Sequence, residues 1–263
     1  MALEGDRFIF DGIPSDYYNL MLYTFDGSGK EESDLGTNVK IIEDRISRRC
    51  DGLHYGTTKN DQLTFPITFG SLDYLDQYDV DVIAGWLTGH NTYKILEIPQ
   101  PDMEYVRYKC FLNNMKKVTI AGVPIAFTCD VVCDSPFAYS YPMDYVYIVN
   151  GETSVSLFNK TSFNGNLYPK MTITPSNLTS EISIQNLSDN NRIFKFTDIP
   201  YSSGMIINID NKNQLITTNI TDLNLYPKFN NKFFRLIKGQ NNLLIKGNGI
   251  ITITCEYPMK VGG

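Results

Sequence analysis

Histidine and tryptophan are almost missing from this 263-residue chain, which holds two His and one Trp. His54 and His90 both stand beside turn-like glycines, and neither adjoins a nucleophile motif. A Ser- or Cys-based triad needs a histidine base, so catalysis of that kind is not expected. The five cysteines, Cys50, Cys110, Cys129, Cys133 and Cys255, are odd in number and irregularly spaced. They form no CxxC pair, which argues against a disulfide framework and a zinc site and for reduced, mostly buried thiols. On one extended strand Cys129 and Cys133 share a face but lie about 13 Å apart, too far to bridge each other.

Phosphate-binding glycine loops are absent as well: no GxGxxG follows a strand and no GxxxxGK[ST] occurs. No apolar run approaches the ~20 residues needed to span a bilayer. The opening Met1-Ala-Leu-Glu-Gly-Asp-Arg-Phe8 shows no basic region followed by an apolar stretch. A soluble protein made in the cytoplasm, with no membrane partner, is therefore expected. The Asp26–Asp34 run lacks the alternating oxygen ligands of a calcium loop. Asp73, Asp76, Asp79 and Asp81 crowd a helical stretch and read as a solvated face, not as a glycosidase pair. No catalytic, cofactor-binding or metal-ligating residue is assigned, no cofactor is implied, and the chain is not expected to be an enzyme.

What is present is β-forming. Seventeen Tyr and 15 Phe favour strands over helices, and the length suits two domains of roughly 100 to 150 residues. The two parts differ in kind. Up to Ser135 the chain carries 12 Lys and Arg against 21 Asp and Glu; from Pro136 onward it carries 11 against 8. Eighteen of the 24 Asn lie in the second part, which has neither His nor Trp. Together with the turn-prone Asp134-Ser135-Pro136 and Tyr141-Pro142, this shift marks a domain boundary around 135 to 145, taken as 1–140 and 141–263. The sequons at Asn159, Asn177, Asn186 and Asn219 follow from Asn richness alone.

In the first domain (1–140), strands are expected at 8–13, 17–25, 39–46 and 63–69, with Pro66 suggesting an edge or a bulge. The polar stretch Asp26–Asn38 reads as a loop or an arm reaching a neighbouring subunit. Leu72, Leu75, Val82, Ile83, Trp86 and Leu87 recur at helical spacing. They predict one helix over 71–88, with Ser71 as N-cap and Gly89 as terminator. Beyond it, strands at 93–98, 105–112, 116–120 and 125–133 are expected, with a hairpin turn around Leu112-Asn113-Asn114-Met115. In the second domain (141–263) roughly ten short strands at regular spacing, with no helix, indicate a β-sandwich.

Several segments stand in one order: Arg48-Arg49-Cys50-Asp51-Gly52, Leu63–Phe69, Ala84-Gly85-Trp86-Leu87, Pro99–Tyr105, and Ile125–Cys133 running into Asp134-Ser135-Pro136-Phe137-Ala138. Met205–Asp210, Phe233–Asn241 and Gly247–Ile253 continue the order. The set resembles the distal tail proteins of long, non-contractile-tailed phages. The resemblance implies a mainly β protein whose N-terminal β-rich domain carries one helix and whose C-terminal domain is a galectin-like β-sandwich. It also implies a virion structural protein at the tail tip. The first domain would build a homo-hexameric ring, a hub joining the tail tube protein to the tail-tip protein and, in some relatives, to receptor-binding proteins. DNA would pass through without specific binding, and the acidic first domain would repel it. A glycan-binding adhesion module stays open as the alternative. Galectin sugar sites use a His and a stacking Trp that this sandwich lacks; Tyr168, Tyr201, Tyr226 and Phe229 are left as stacking candidates.

Overall fold

The computed structural model describes residues 7–22, 40–47, 50–58, 62–71, 73–99, 105–120, 122–176 and 179–261. The expected arm at 26–38 and the Arg48-Arg49 pair lie outside the described residues. The chain divides into two compact units, Met1–Ser140 with Met259–Gly263, and Tyr141–Pro258. Both are β-rich, and the single α-helix of the described residues lies in the first.

The strands of the first unit are β1 (Ile9–Phe10), β2 (Ile13–Pro14), β3 (Leu20–Leu22), β4 (Lys40–Asp44), β5 (Leu53–Thr58), β6 (Thr64–Ser71), β7 (Lys94–Glu97), β8 (Val106–Ile120), β9 (Val123–Cys133) and β10 (Ala138–Ser140). Among the described residues β4 and β5 pair only with each other, and the main sheet runs β2-β1-β7-β8-β9-β6-β3. Phe65, Ile67 and Phe69 alternate inward along β6, as the period of two requires. Pro66 lies opposite Asp130 of β9, and among the described residues β3 pairs with Phe69–Ser71.

Helix α1 (Gln77–Thr88) begins six residues later than the hydrophobic spacing suggested. Ser71 ends β6, and its hydroxyl accepts from the Asp73 N–H instead of capping a helix. The cap is Asp76. Its carboxylate accepts from the Asp79 N–H at 2.8 Å, while the Asp79 carboxylate accepts from the Asp76 N–H at 3.2 Å. This reciprocal box satisfies two donors that the first turn leaves without partners. Val80, Ile83, Trp86 and Leu87 form the buried stripe. Trp86 lies parallel to Phe8 at 5.9 Å, with Tyr18 at 4.7 Å and Phe10 edge-on at 6.2 Å, an aromatic cluster that anchors the helix to the core.

The hairpin expected around Leu112–Met115 does not form, and β8 runs unbroken for 15 residues. Asn114 adopts φ 54°, a left-handed conformation that asparagine tolerates well, and the register against β9 shifts there. The segment therefore holds a bulge, pinned by the Asn114 amide donating to the Asp130 carboxylate at 2.8 Å.

The second unit holds β11 (Met143–Asn159), β12 (Lys170–Pro175), β13 (Glu181–Asn186), β14 (Arg192–Thr197), β15 (Ile207–Asp210), β16 (Leu215–Thr218) and β17 (Gly239–Cys255); β18 (Pro258–Met259) follows. Among the described residues seven strands replace the expected ten, because two pairs fuse and the expected strand at 233–237 does not form. Both β11 and β17 are 17 residues long and stay in register from Met143↔Cys255 to Asn159↔Gly239. On its other edge β17 pairs first with β13, through Leu243–Lys246, and then with β12, through Gly249–Thr254. The exchange of partners falls at Gly247-Asn248-Gly249. Gly247 and Gly249 take φ 130° and 145°, where a side chain is strained. A Cβ on Gly249 would lie 2.3 Å from the Thr174 carbonyl oxygen. Asn248 is held from both sides: its carbonyl accepts from the Thr179 hydroxyl and the Ser176 N–H, and its side chain accepts from the Gly151 N–H.

Phe233–Ile237, expected as a strand, joins the fold through one bridge, Leu236↔Leu167. Asparagine side chains supply most of the remaining pairing. Asn211 accepts from the Phe234 N–H, Asn241 accepts from the Ile237 N–H, and Asn159 and Asn186 donate to the carbonyls of Ile237 and Arg235. These four asparagines are almost fully buried. A primary amide carries both donor and acceptor, so it can stand in for a missing strand. Asp189 adds a two-bond ion pair to Arg235 at 2.7 and 3.0 Å, tying the same segment to the β13–β14 turn.

Two outcomes are expected. Gly249→Ala lowers stability by at least about 3 kcal/mol in urea unfolding, and a loss below about 1 kcal/mol would show that the crossover relaxes. Asp189→Asn costs about 2 kcal/mol at neutral pH, less than a fully buried pair because Arg235 is partly exposed. Hydrogen bonding from the Arg235 guanidinium holds the Asp189 carboxyl below its ordinary range. Its contribution is therefore complete above about pH 4 and fades as pH falls through the lower folded value, so wild type and variant converge in acid.

Candidate interaction surfaces

The groups from which chemistry was weighed in the sequence are scattered or engaged in structural bonds. His54 lies on β5. His90 follows α1, with Nε2 2.6 Å from the Trp86 carbonyl oxygen. Cys110, Cys129, Cys133 and Cys255 are buried, and Cys50 is exposed. Among the described residues no group of three or more His, Cys, Asp or Glu is placed to hold a metal. The four aspartates near α1 perform local work. Asp76 and Asp79 build the capping box, Asp73 accepts from the Asn19 amide at 3.1 Å, and Asp81 accepts from the Gln77 amide at 2.8 Å.

A groove of about 570 Å³ lies between the end of α1 and the bulge of β8, with Phe10, Leu87, His90, Lys94, Phe111 and Met115 among its lining residues. Two of its polar side chains are engaged within the chain: Lys94 pairs with Asp11 at 2.7 Å, and Asn114 bonds Asp130. The lining contains no Ser or Cys; the Thr88 hydroxyl donates to the Ala84 carbonyl, and His90 Nε2 lies against the Trp86 carbonyl, so neither is paired with the other.

The aromatic candidates of the second unit divide. Phe229 is buried among Phe194, Phe196 and Phe233, which makes it core. The Tyr226 hydroxyl accepts from the Ile216 N–H and donates to the Gln214 carbonyl, fixing the short 3-10 turn over β16. Tyr168 and Tyr201 stay partly exposed.

Surfaces suited to protein contact were harder to read. In the first unit Tyr17, Tyr74 and Tyr78 are each about three-quarters exposed, and large exposed aromatics are favoured contact residues. Within the main sheet path, β2 and β3 are the terminal strands among the described residues. In the second unit β11 pairs, among the described residues, with β17 alone, leaving a long edge there. On its outer face Val146 is 59 % and Ile148 79 % exposed, and Ile148 lies opposite Ile250, itself 43 % exposed. Alternation in the sequence signals which residues of a strand face outward, but not which outward residues of two distant strands become neighbours.

Fold comparison gives close matches over nearly the full chain. The crystal structure of SPP1 Dit, described as a paradigm of the hub adsorption apparatus in phages infecting Gram-positive bacteria, superposes with a TM-score of 0.66 at 12 % identity, covering 95 % of this chain and 98 % of that one. A chain of the phage P2 baseplate in its activated conformation with calcium gives 0.57 at 12 % identity, covering 92 % of each. In sequence, the SPbeta prophage-derived uncharacterized protein YomH of Bacillus subtilis (strain 168) is 24 % identical over 269 residues, spanning 98 % of this chain and 99 % of the relative. Two family models match in tandem, a phage tail protein N-terminal domain over residues 3–135 and a phage tail C-terminal domain over residues 137–255. Matched end to end by both domains, the chain belongs to this family of phage tail proteins, structural components of the virion tail.

Proposed function

We propose that the chain is the hub at the distal end of a long tail. Six copies close into a ring through the first unit, and the second unit projects outward. The ring joins the tail tube protein to the tail-tip protein, and the outward unit offers a platform for a receptor-binding protein. The observation that carries this reading is the likeness to SPP1 Dit across both units in one chain, because that protein is described as a hub of an adsorption apparatus. The surfaces suit it. Closing a ring pairs or covers strand edges that would otherwise invite aggregation, and the exposed tyrosines of the first unit supply contact area at low entropy cost. The acidic excess before Pro136 suits a ring through which DNA slides without sticking. Synthesis and assembly take place in the host cytoplasm, and the role is structural, not enzymatic.

Purified protein mixed with its tail tube neighbour, viewed by negative stain and weighed by sedimentation, is expected to give six-fold rings of about 180 kDa per hexamer of the 29.9 kDa chain. A persistent monomer in that mixture, or rings of another order, would overturn the hexameric hub.

A further inference from the structure

Cys110 on β8 and Cys133 on β9 are Cα partners across the antiparallel ladder. Just beyond them the Asp134 N–H donates to the Lys109 carbonyl at 2.8 Å. A bond from the residue after one partner to the residue before the other marks a pair that exchanges no hydrogen bonds of its own. In such a pair the Cα atoms lie about 4.5 Å apart, and the side chains are closer than at hydrogen-bonded positions. Disulfides accept Cα separations of roughly 4.4–6.8 Å. The remaining cysteines have no such counterpart: Cys129 faces Ile67, Cys255 faces Met143, and Cys50 is exposed and outside every strand.

We propose that Cys110 and Cys133 form a disulfide site, closed by a small-molecule disulfide of the glutathione class, which staples β8 to β9 where the hairpin meets the core. The exchange has two steps. One cysteine thiolate attacks a sulfur of the oxidant, breaking its S–S bond and releasing one thiolate. The partner cysteine then attacks the protein sulfur of the mixed disulfide, forming the Cys110–Cys133 bond and releasing the second thiolate. The two cysteine protons end on the two released thiols, and the oxidant is reduced. Both thiols are fully buried, and burial holds them protonated, Cys133 up to about 12. Closure therefore occurs while the hairpin is forming or transiently open. In a reducing compartment the pair stays as thiols, and in an oxidising one it closes. This inference rests on the cysteine register alone and stands or falls independently of the hub reading.

The test uses the full chain carrying Cys50→Ala, which removes the exposed thiol. Protein unfolded in urea under reducing conditions is refolded in a reduced and oxidised glutathione buffer. Remaining thiols are alkylated after denaturation, and peptides are mapped by mass. The expected product links the Cys110 and Cys133 peptides, leaves Cys129 and Cys255 alkylated, and unfolds at a higher urea midpoint than the reduced form. Adding Cys129→Ala is expected to leave the bridge intact. Refolded protein that keeps both thiols at every glutathione ratio, or that bridges another pair, would overturn the proposal.

Discussion

The second unit depends on a single strand. β17 is held along one edge by β11 for its whole length and along the other by two strands in succession, β13 and then β12. The same 17 residues therefore carry both parts of a sheet that curves around one core, with Leu243 and Ile245 facing it before the crossover and Ile251, Ile253 and Cys255 after it. That continuity requires a backbone without side chains where the neighbours change. Gly247 and Gly249 meet the requirement by standing against Glu181 and Thr174 at separations no Cβ could share. The crossover sets where β13 and β12 attach along β17, and through them the places of β14 and β15.

Curving the sheet leaves part of the chain outside any ladder, and there the composition acquires a physical meaning. Four asparagines of the second part, Asn159, Asn186, Asn211 and Asn241, are buried and satisfy backbone groups of the 233–237 segment, which lies outside the strands of the described residues. Burying an unpaired peptide group costs more than a typical hydrogen bond contributes, so these amides are constraints on the fold and not decoration. The first unit solves a different problem. Helix α1 is fixed by an aspartate capping box and by Trp86 within an aromatic cluster, while Tyr17, Tyr74 and Tyr78 stay exposed.

Reading both units as parts of a tail protein brings the charge division and the surfaces under one description. The acidic first part and the asparagine-rich second part belong to two domains that the tail family carries in tandem. The ordered motifs quoted from the sequence pointed to the same family, although no single motif was specific. Their strength lay in their order across the chain.

Local pattern alone determined the β-rich class, the position of the one helix to within its first turns, the inward alternation of Phe65, Ile67 and Phe69, and the change of composition near 140. Each of these depends on residues a few positions apart, whose periodicity is written in the chain itself. Only the tertiary structure decided that Asn114 bulges instead of turning, that Asp76 displaces Ser71 as the cap, that Gly247-Asn248-Gly249 bends one strand instead of separating two, and that Cys133 faces Cys110. Each of those is settled by a partner: Asp130 for Asn114, Leu20 for Ser71, which it draws into β6, Thr174 and Glu181 for the glycines, and the β8–β9 register for the cysteines. A turn, a bulge and a bend use the same residue types, and what separates them is the neighbour that arrives from elsewhere in the chain.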